Sequence, residues 1–143
     1  MNLTTTPLEC LLMPGPRPLA PRISQLTKTF WDRLDQGIFV VAQCTACQRP
    51  RFPPQGQCPG CGDKETTWQP VNGSGKVYSA TVVHAAPAMF AAAAPYVLAV
   101  IDLDEGVRLV TRWIGNRPDC DQAARLVVLK YDDGVLFGAT AER

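Results

Sequence analysis

Apolar residues follow two rhythms along this chain, and the change falls near Gly73. Upstream, Ile23, Leu26, Phe30, Trp31 and Leu34 recur at helical spacing and mark one apolar stripe on a helix over residues 23–36. Ser24 suits its N-cap and Gly37 the C′ position that ends it, while Gln25, Lys28, Arg33 and Asp35 take the wet face. A helix this short gains its stability from packing, so the stripe must dock, on the rest of this chain or on another; docking within the chain is the expectation. Downstream, runs rich in Val, Ile, Leu, Tyr and Thr predict five strands: Lys76 to His84, Tyr96 to Leu103, Val107 to Ile114, Leu126 to Tyr131 and Val135 to Ala139. Val97 to Ile101 is apolar on both faces and should be the most buried. Asp104-Glu105-Gly106 and Asp132-Asp133-Gly134 are short turns with glycine where a positive φ is needed, so each closes a hairpin. Five short antiparallel strands in so little chain suggest a small closed barrel of the oligonucleotide/oligosaccharide-binding (OB) type; an open sheet or sandwich fragment has the same periodicity.

The remaining segments are punctuated differently. Residues 1–22 carry Pro7, Pro14, Gly15, Pro16, Pro18 and Pro21, which forbid a regular helix and interrupt any strand alternation; they read as an arm, either free or lying on a partner subunit. Residues 85–95 form an uncharged, alanine-rich loop carrying Met89 and Phe90. So apolar a loop either folds back as a short helix plugging the barrel or anchors a partner or ligand through Met89 and Phe90. Residues 115–124 read as a solvated loop.

Between helix and barrel lies the chemistry. Ile38 to Ala42 is a strand leading into Cys44-Thr45-Ala46-Cys47, and ten residues later Cys58-Pro59-Gly60-Cys61-Gly62 follows. Two Cys-x-x-Cys knuckles place four thiolates so that two tight turns close around one soft divalent ion, and Gly62 suits a turn whose amides point back at sulfur. The gap is shorter than the usual one of about 15–20 residues, so the ribbon is compact. Arg49 to Pro54 between the knuckles is a stiff hairpin in which Phe52 packs beside the metal, with Trp68 plugging the same miniature core. So small a module has the metal as its core. Cys10 and Cys120 stand alone as ordinary free thiols. Leu11-Leu12-Met13 is too short for a secretory core and prolines follow at once, which predicts a reducing, cytoplasmic setting where thiolates stay available to metal. The organisation is a Pro-rich arm at 1–22, a helix at 23–37, a metal ribbon at 38–72 and a barrel domain at 73–143.

Composition narrows the function classes. Over 143 residues, 46% hydrophobic content supports a packed core, and a net charge of +1 gives little footprint for nucleic acid or an anionic membrane. No apolar run is long enough to span a bilayer. The single histidine, His84, has no serine or cysteine partner nearby in sequence, and no phosphate-cradling glycine loop or dinucleotide fingerprint is present. Four sulfur ligands leave no open position for water, so the metal is structural and the chain carries no catalytic residue of its own. Arg51, His84 and Arg112 are the polar groups that could meet a ligand phosphate or a partner carboxylate, with Arg112 and His84 expected on one rim of the barrel mouth.

In its combination of motifs the chain resembles the DUF35 family, small proteins joining a rubredoxin-like zinc ribbon to an OB-fold. The resemblance covers roughly residues 19–139 and rests on Phe30-Trp31, Gly37, both knuckles, Arg51-Phe52-Pro53-Pro54, Gly75 to Ser79, Thr81 to His84, Pro95-Tyr96-Val97 and Leu103 to Leu109. It departs before the fourth barrel strand, which opens here with Asp121-Gln122-Ala123-Ala124-Arg125 in place of a Gly-x-Pro-Val-like sequence. The resemblance implies a non-catalytic accessory subunit of a thiolase-type or related acyl-CoA enzyme in a hetero-oligomer, carrying structural zinc and helping to position the acyl-CoA. Two other classes compete: a single-stranded nucleic-acid-binding OB module, disfavoured by the near-zero charge, and a rubredoxin-like electron carrier, since four thiolates hold iron as well as zinc.

Overall fold

The computed structural model describes residues 7–142. The Pro-rich arm assigned to residues 1–22 therefore has its first six positions outside the described residues. The elements in chain order are β1 (Cys10–Leu12), α1 (Lys28–Asp35), β2 (Val40–Cys44), β3 (Pro50–Arg51), β4 (Thr66–Pro70), β5 (Ser74–Val83), a 3-10 helix (Ala88–Ala93), β6 (Tyr96–Leu103), β7 (Arg108–Trp113), β8 (Ala123–Tyr131) and β9 (Gly134–Ala141).

Five of these strands close on themselves. The antiparallel meander β5–β6–β7 is joined through β7 to β9 in parallel, β9 runs antiparallel to β8, and the start of β8 returns to β5 through Ser74↔Arg125. The ring β5–β6–β7–β9–β8 is the OB-like barrel that the strand pattern predicts, and closing it removes the free edges an open sheet would present. A bulge between Val77 and Ser79 shifts the β5 register, so Ser79 rather than Tyr78 faces Val100. The ribbon is a separate three-stranded sheet, β3–β2–β4.

Helix, ribbon and barrel share one core. Phe30 and Leu34 of α1, Phe39 to Val41 around β2, and Val77, Ile101, Leu109, Trp113 and Leu126 of the barrel belong to a single buried cluster. At its centre four phenylalanines meet: Phe39 lies 5.1 Å from Phe30, 5.2 Å from Phe52 and 5.1 Å from Phe137, centroid to centroid. Phe52 thus joins the ribbon hairpin to α1 and β9, a larger core than the miniature one the sequence suggests. Trp68 packs against the same cluster.

Two upstream segments differ from the periodic pattern. The regular helix begins at Lys28, although the chain already turns at Ser24: Ser24 and Thr27 exchange backbone-to-hydroxyl hydrogen bonds of 3.0 and 3.3 Å, a reciprocal cap. Ile23 and Leu26 fall in this turn and stay exposed, so only the Phe30–Leu34 half of the stripe docks within the chain. Gly37 ends the helix with φ of 85°, as its position requires.

The arm is also more ordered than its prolines suggest. Cys10–Leu12 pairs in parallel with Val128–Lys130, continuing the edge of β8 beyond the point where β5 leaves it. Leu11 and Met13 cover the outward residues Val127, Leu129 and Tyr131, making a second small core outside the barrel. Met13 N donates to Lys130 O at 2.8 Å, and the Arg17 amide donates to Asp133 Oδ1 at 2.8 Å, which ties the arm to the β8–β9 turn. Backbone pairing of this kind needs no side-chain alternation, which is why three residues between prolines escape a periodicity argument.

Candidate metal centre and adjoining cleft

The two knuckles fold alike. In each, the amide four residues after the first cysteine donates to that cysteine's carbonyl, Gln48 to Cys44 at 3.0 Å and Gly62 to Cys58 at 2.9 Å. In each, the residue after the second cysteine is left-handed, Gln48 at φ of 64° and Gly62 at 82°. The glycine is visible in the sequence. Gln48 is not, and the first turn is secured by its own side chain, which donates to Thr45 O at 3.1 Å, and by Gln43, which donates to Gln48 O at 2.9 Å.

The four Sγ atoms lie within 4.8 Å of one another, Cys44 3.4 Å from Cys61 and Cys47 3.6 Å from Cys58. Tetrahedral zinc with Zn–S of about 2.3 Å requires sulfur–sulfur edges of about 3.8 Å, so the donor set fits such an ion. Electrostatics point the same way. Amides of Cys61 and Gly60 pull the Cys58 thiol down to about 6, and amides of Cys47 and Ala46 lower Cys44. At Cys61 the Asp63 amide also favours the thiolate, but the neighbouring sulfur of Cys44, burial and the remaining sulfurs outweigh it and push that thiol up to about 12. Four thiolates this close repel one another unless a cation sits among them. Cys44 and Cys58 are buried, Cys47 and Cys61 exposed, so a bound ion would lie at the ribbon's rim.

Of the other nominated residues, the structure brings Met89 and Arg112 together. They line an open cleft of about 580 Å³ together with arm residues 13–18, alanines of the 3-10 helix and Tyr131. The 3-10 helix does form, but none of its residues is buried and Met89 is 52% exposed, so it does not plug the barrel. Phe90 turns towards Tyr96, 6.0 Å between ring centroids, and does not line this cleft. His84 is exposed just past the end of β5 and lines neither this cleft nor the adjoining hollow around Arg112. Arg51 is only 7% exposed and works inside the ribbon, donating to Gln55 O at 3.0 Å and to the Thr66 hydroxyl. The arm's contribution to the cleft escaped the sequence reasoning, because nothing in Met13 to Pro18 announces where that segment lies.

A paired-knuckle ribbon sharing its core with a five-stranded closed barrel defines a compact class of metal-ribbon/OB protein. Two family models match in succession: residues 31–67 match "ChsH2, rubredoxin-like zinc ribbon domain" and residues 68–129 match "ChsH2, C-terminal OB-fold domain". A "DUF35 domain-containing scaffold protein" of Methanocaldococcus jannaschii is 35% identical over 106 residues, covering 68% of this chain and 74% of that one. The chain belongs to the DUF35 family. A "probable enoyl-CoA hydratase alpha subunit" of Thermomonospora curvata is 37% identical over 118 residues, 81% of this chain, and this chain spans only 37% of that longer relative. Among solved structures, a chain of an "Ltp2-ChsH2(DUF35) aldolase" superposes with a TM-score of 0.75 at 32% identity, covering 85% of this chain and 98% of that one. Among the described residues no helix is long and apolar enough to cross a membrane.

Proposed function

We propose that this protein is a non-catalytic accessory subunit of an acyl-CoA-processing enzyme complex, of thiolase or related type, which docks on and stabilises the chain that carries the chemistry. The observation that carries this reading is the apolar surface left open along one short segment. Leu12, Leu19, Ile23 and Leu26 are 82%, 55%, 57% and 42% exposed, although the same segment is tied to the barrel at Arg17. Single exposed leucines need no explanation, but four within residues 12–26 mark a surface suited to another protein. The names of a scaffold protein and an aldolase assembly among the relatives support a partner chain, and that of an enoyl-CoA hydratase subunit supports one that handles CoA thioesters.

In this role Cys44, Cys47, Cys58 and Cys61 hold structural zinc, which fixes the ribbon and, through Phe52, the helix and barrel beside it. Arg51 stiffens the hairpin between the knuckles. Phe90 and His84, outside the cleft that Met89 and Arg112 line, are the contacts this reading offers to the partner. Affinity purification from the native source, with the associated chain identified and metal content measured, tests this. Recovery of a thiolase-, hydratase- or aldolase-type chain, lost when Leu19, Ile23 and Leu26 are changed to serine, is the expected result. A well-folded chain that always purifies alone would sink the proposal.

A further inference from the structure

Arg112 is a charge without an answer among the described residues. It stands on the outer face of β7, opposite Leu98 and beside Gly138 of β9. Its Nε is buried with no hydrogen-bond partner, and the ion pairs Arg17–Asp133, Lys28–Asp32, Arg108–Asp102 and Arg125–Glu9 all pass it by. Other arginines with an unpaired nitrogen are engaged elsewhere on the same group: Arg17 and Arg125 with carboxylates, Arg51 with Gln55 O and the Thr66 hydroxyl. A guanidinium keeps its proton at any physiological pH, so partial burial without a counter-charge is a standing cost that a bound anion relieves.

The surroundings specify which anion. Arg112 and Met13 line both the 580 Å³ cleft and an adjoining hollow of about 280 Å³ that runs towards Trp113 and Ile114. No acidic side chain lines either space. The second cation of the cleft, Arg17, is committed to Asp133 and to the carbonyl of Val135. Tyr131, 7% exposed, also lines the cleft, and its hydroxyl bonds to no described residue. The other walls are prolines of the arm, alanines of the 3-10 helix, and two methionines whose flexible thioethers adapt to irregular apolar shapes. One free guanidinium and one free phenol above an apolar trough suit a ligand with a single anionic end and a hydrocarbon body. A polyphosphate would find too little positive charge here, and a neutral thioester would leave Arg112 unanswered.

We propose that this cleft is a binding site for an apolar monocarboxylate, with the carboxylate on Arg112 and Tyr131 and the alkyl or aryl body against Met13 and Met89. The site is complete within this chain, so the proposal goes beyond the accessory-subunit reading and does not depend on it. The test uses the full-length, zinc-loaded protein titrated calorimetrically with octanoate, octanol and octyltrimethylammonium, which share one chain and differ in the head group. The methyl NMR signals of Met13 and Met89 report location. Octanoate should bind saturably, at least about tenfold more tightly than octanol, and shift both methyl signals. Arg112→Gln should weaken octanoate by about 10- to 100-fold and leave octanol unchanged, and Arg112→Lys should recover part of the loss. If Arg112→Gln loses its native circular dichroism, Tyr131→Phe must show the same selectivity for the charged head. Equal binding of octanoate and octanol, binding that survives Arg112→Gln, methyl signals that do not move, or no octanoate binding at millimolar concentration would each overturn the proposal. Partner recovery from the native source is a separate readout, so failure here is distinguishable from failure of the accessory-subunit reading.

Discussion

Replacing Phe39 with alanine tests whether ribbon and barrel stand or fall together. Phe39 is fully buried and touches Phe30 of α1, Phe52 of the ribbon and Phe137 of the barrel, each at 5.1–5.2 Å, two of them edge to face. Truncating a buried phenylalanine costs about 3–5 kcal/mol, and a site ringed by rigid aromatics has little means of collapsing into the void. A loss of about 4 kcal/mol is a large share of the roughly 5–15 kcal/mol that holds a domain folded. With a guanidinium m-value of about 4 kcal/mol/M, the unfolding midpoint should fall by about 1 M. Far-UV circular dichroism follows the barrel, and capture of released zinc by a chromogenic chelator follows the ribbon. Both transitions should move together in Phe39→Ala, and Phe39→Leu should move both by less. If zinc release shifted while the barrel midpoint stayed in place, the single shared core would be refuted.

Other consequences are sharper and smaller. Cys58→Ser should purify with little or no zinc by elemental analysis, and a full equivalent in that variant would remove Cys58 from the ligand set. The Arg17 amide, above all, holds the Asp133 carboxyl below its usual range, so the folded value is the lower one. Its contribution is fully present above the unfolded carboxylate pKa near 4 and is lost as pH falls through the folded value. Protection of the Leu11 to Met13 amides, taken relative to their intrinsic exchange rates at each pH, should therefore fall on acidification and match Asp133→Asn at the acid end; identical pH dependence of protection in both proteins would refute the link. Gly73 has φ of 85° and faces Leu8, whose Cδ2 would lie 2.7 Å from an added Cβ. Gly73→Ala should cost about 1–2 kcal/mol by denaturant titration, with the loss concentrated in arm protection. Arg51→Ala removes the donor to Gln55 O and Thr66 from a buried site and should cost about 1–3 kcal/mol, read as faster zinc transfer to a chelator.

What the residue pattern revealed was what local physics controls. The knuckles are legible because metal spacing is a short-range rule, and the barrel strands because Val, Ile and Thr alternate over long enough runs to reveal a face. Tyr96–Leu103 keeps its predicted bounds, whereas β8 begins earlier than predicted because Ala123 to Arg125 pair with β5 and β9 without being strong β-formers, and β9 runs on to Ala141 opposite them. Ile23 and Leu26 continue the helical period on paper, but Pro21 and the Ser24–Thr27 cap hold that stretch in a turn and leave their side chains exposed. Met89 and Arg112 could be nominated from residue type. Their common cleft could not, since one wall of it is the arm, placed by backbone pairing between residues more than a hundred positions apart.

That separation orders events during synthesis. Cys10 leaves the ribosome more than a hundred residues before its partner Val128, on a strand that also pairs with β5 and β9. Contacts of such long range form late. While the rest of the chain is made, Leu8, Leu11 and Met13 have no surface of their own to cover, and the cleft they will help to wall does not exist. The arm is thus the last piece to be fixed, and a protein that bound it during that interval would meet an extended apolar peptide before it met a folded subunit.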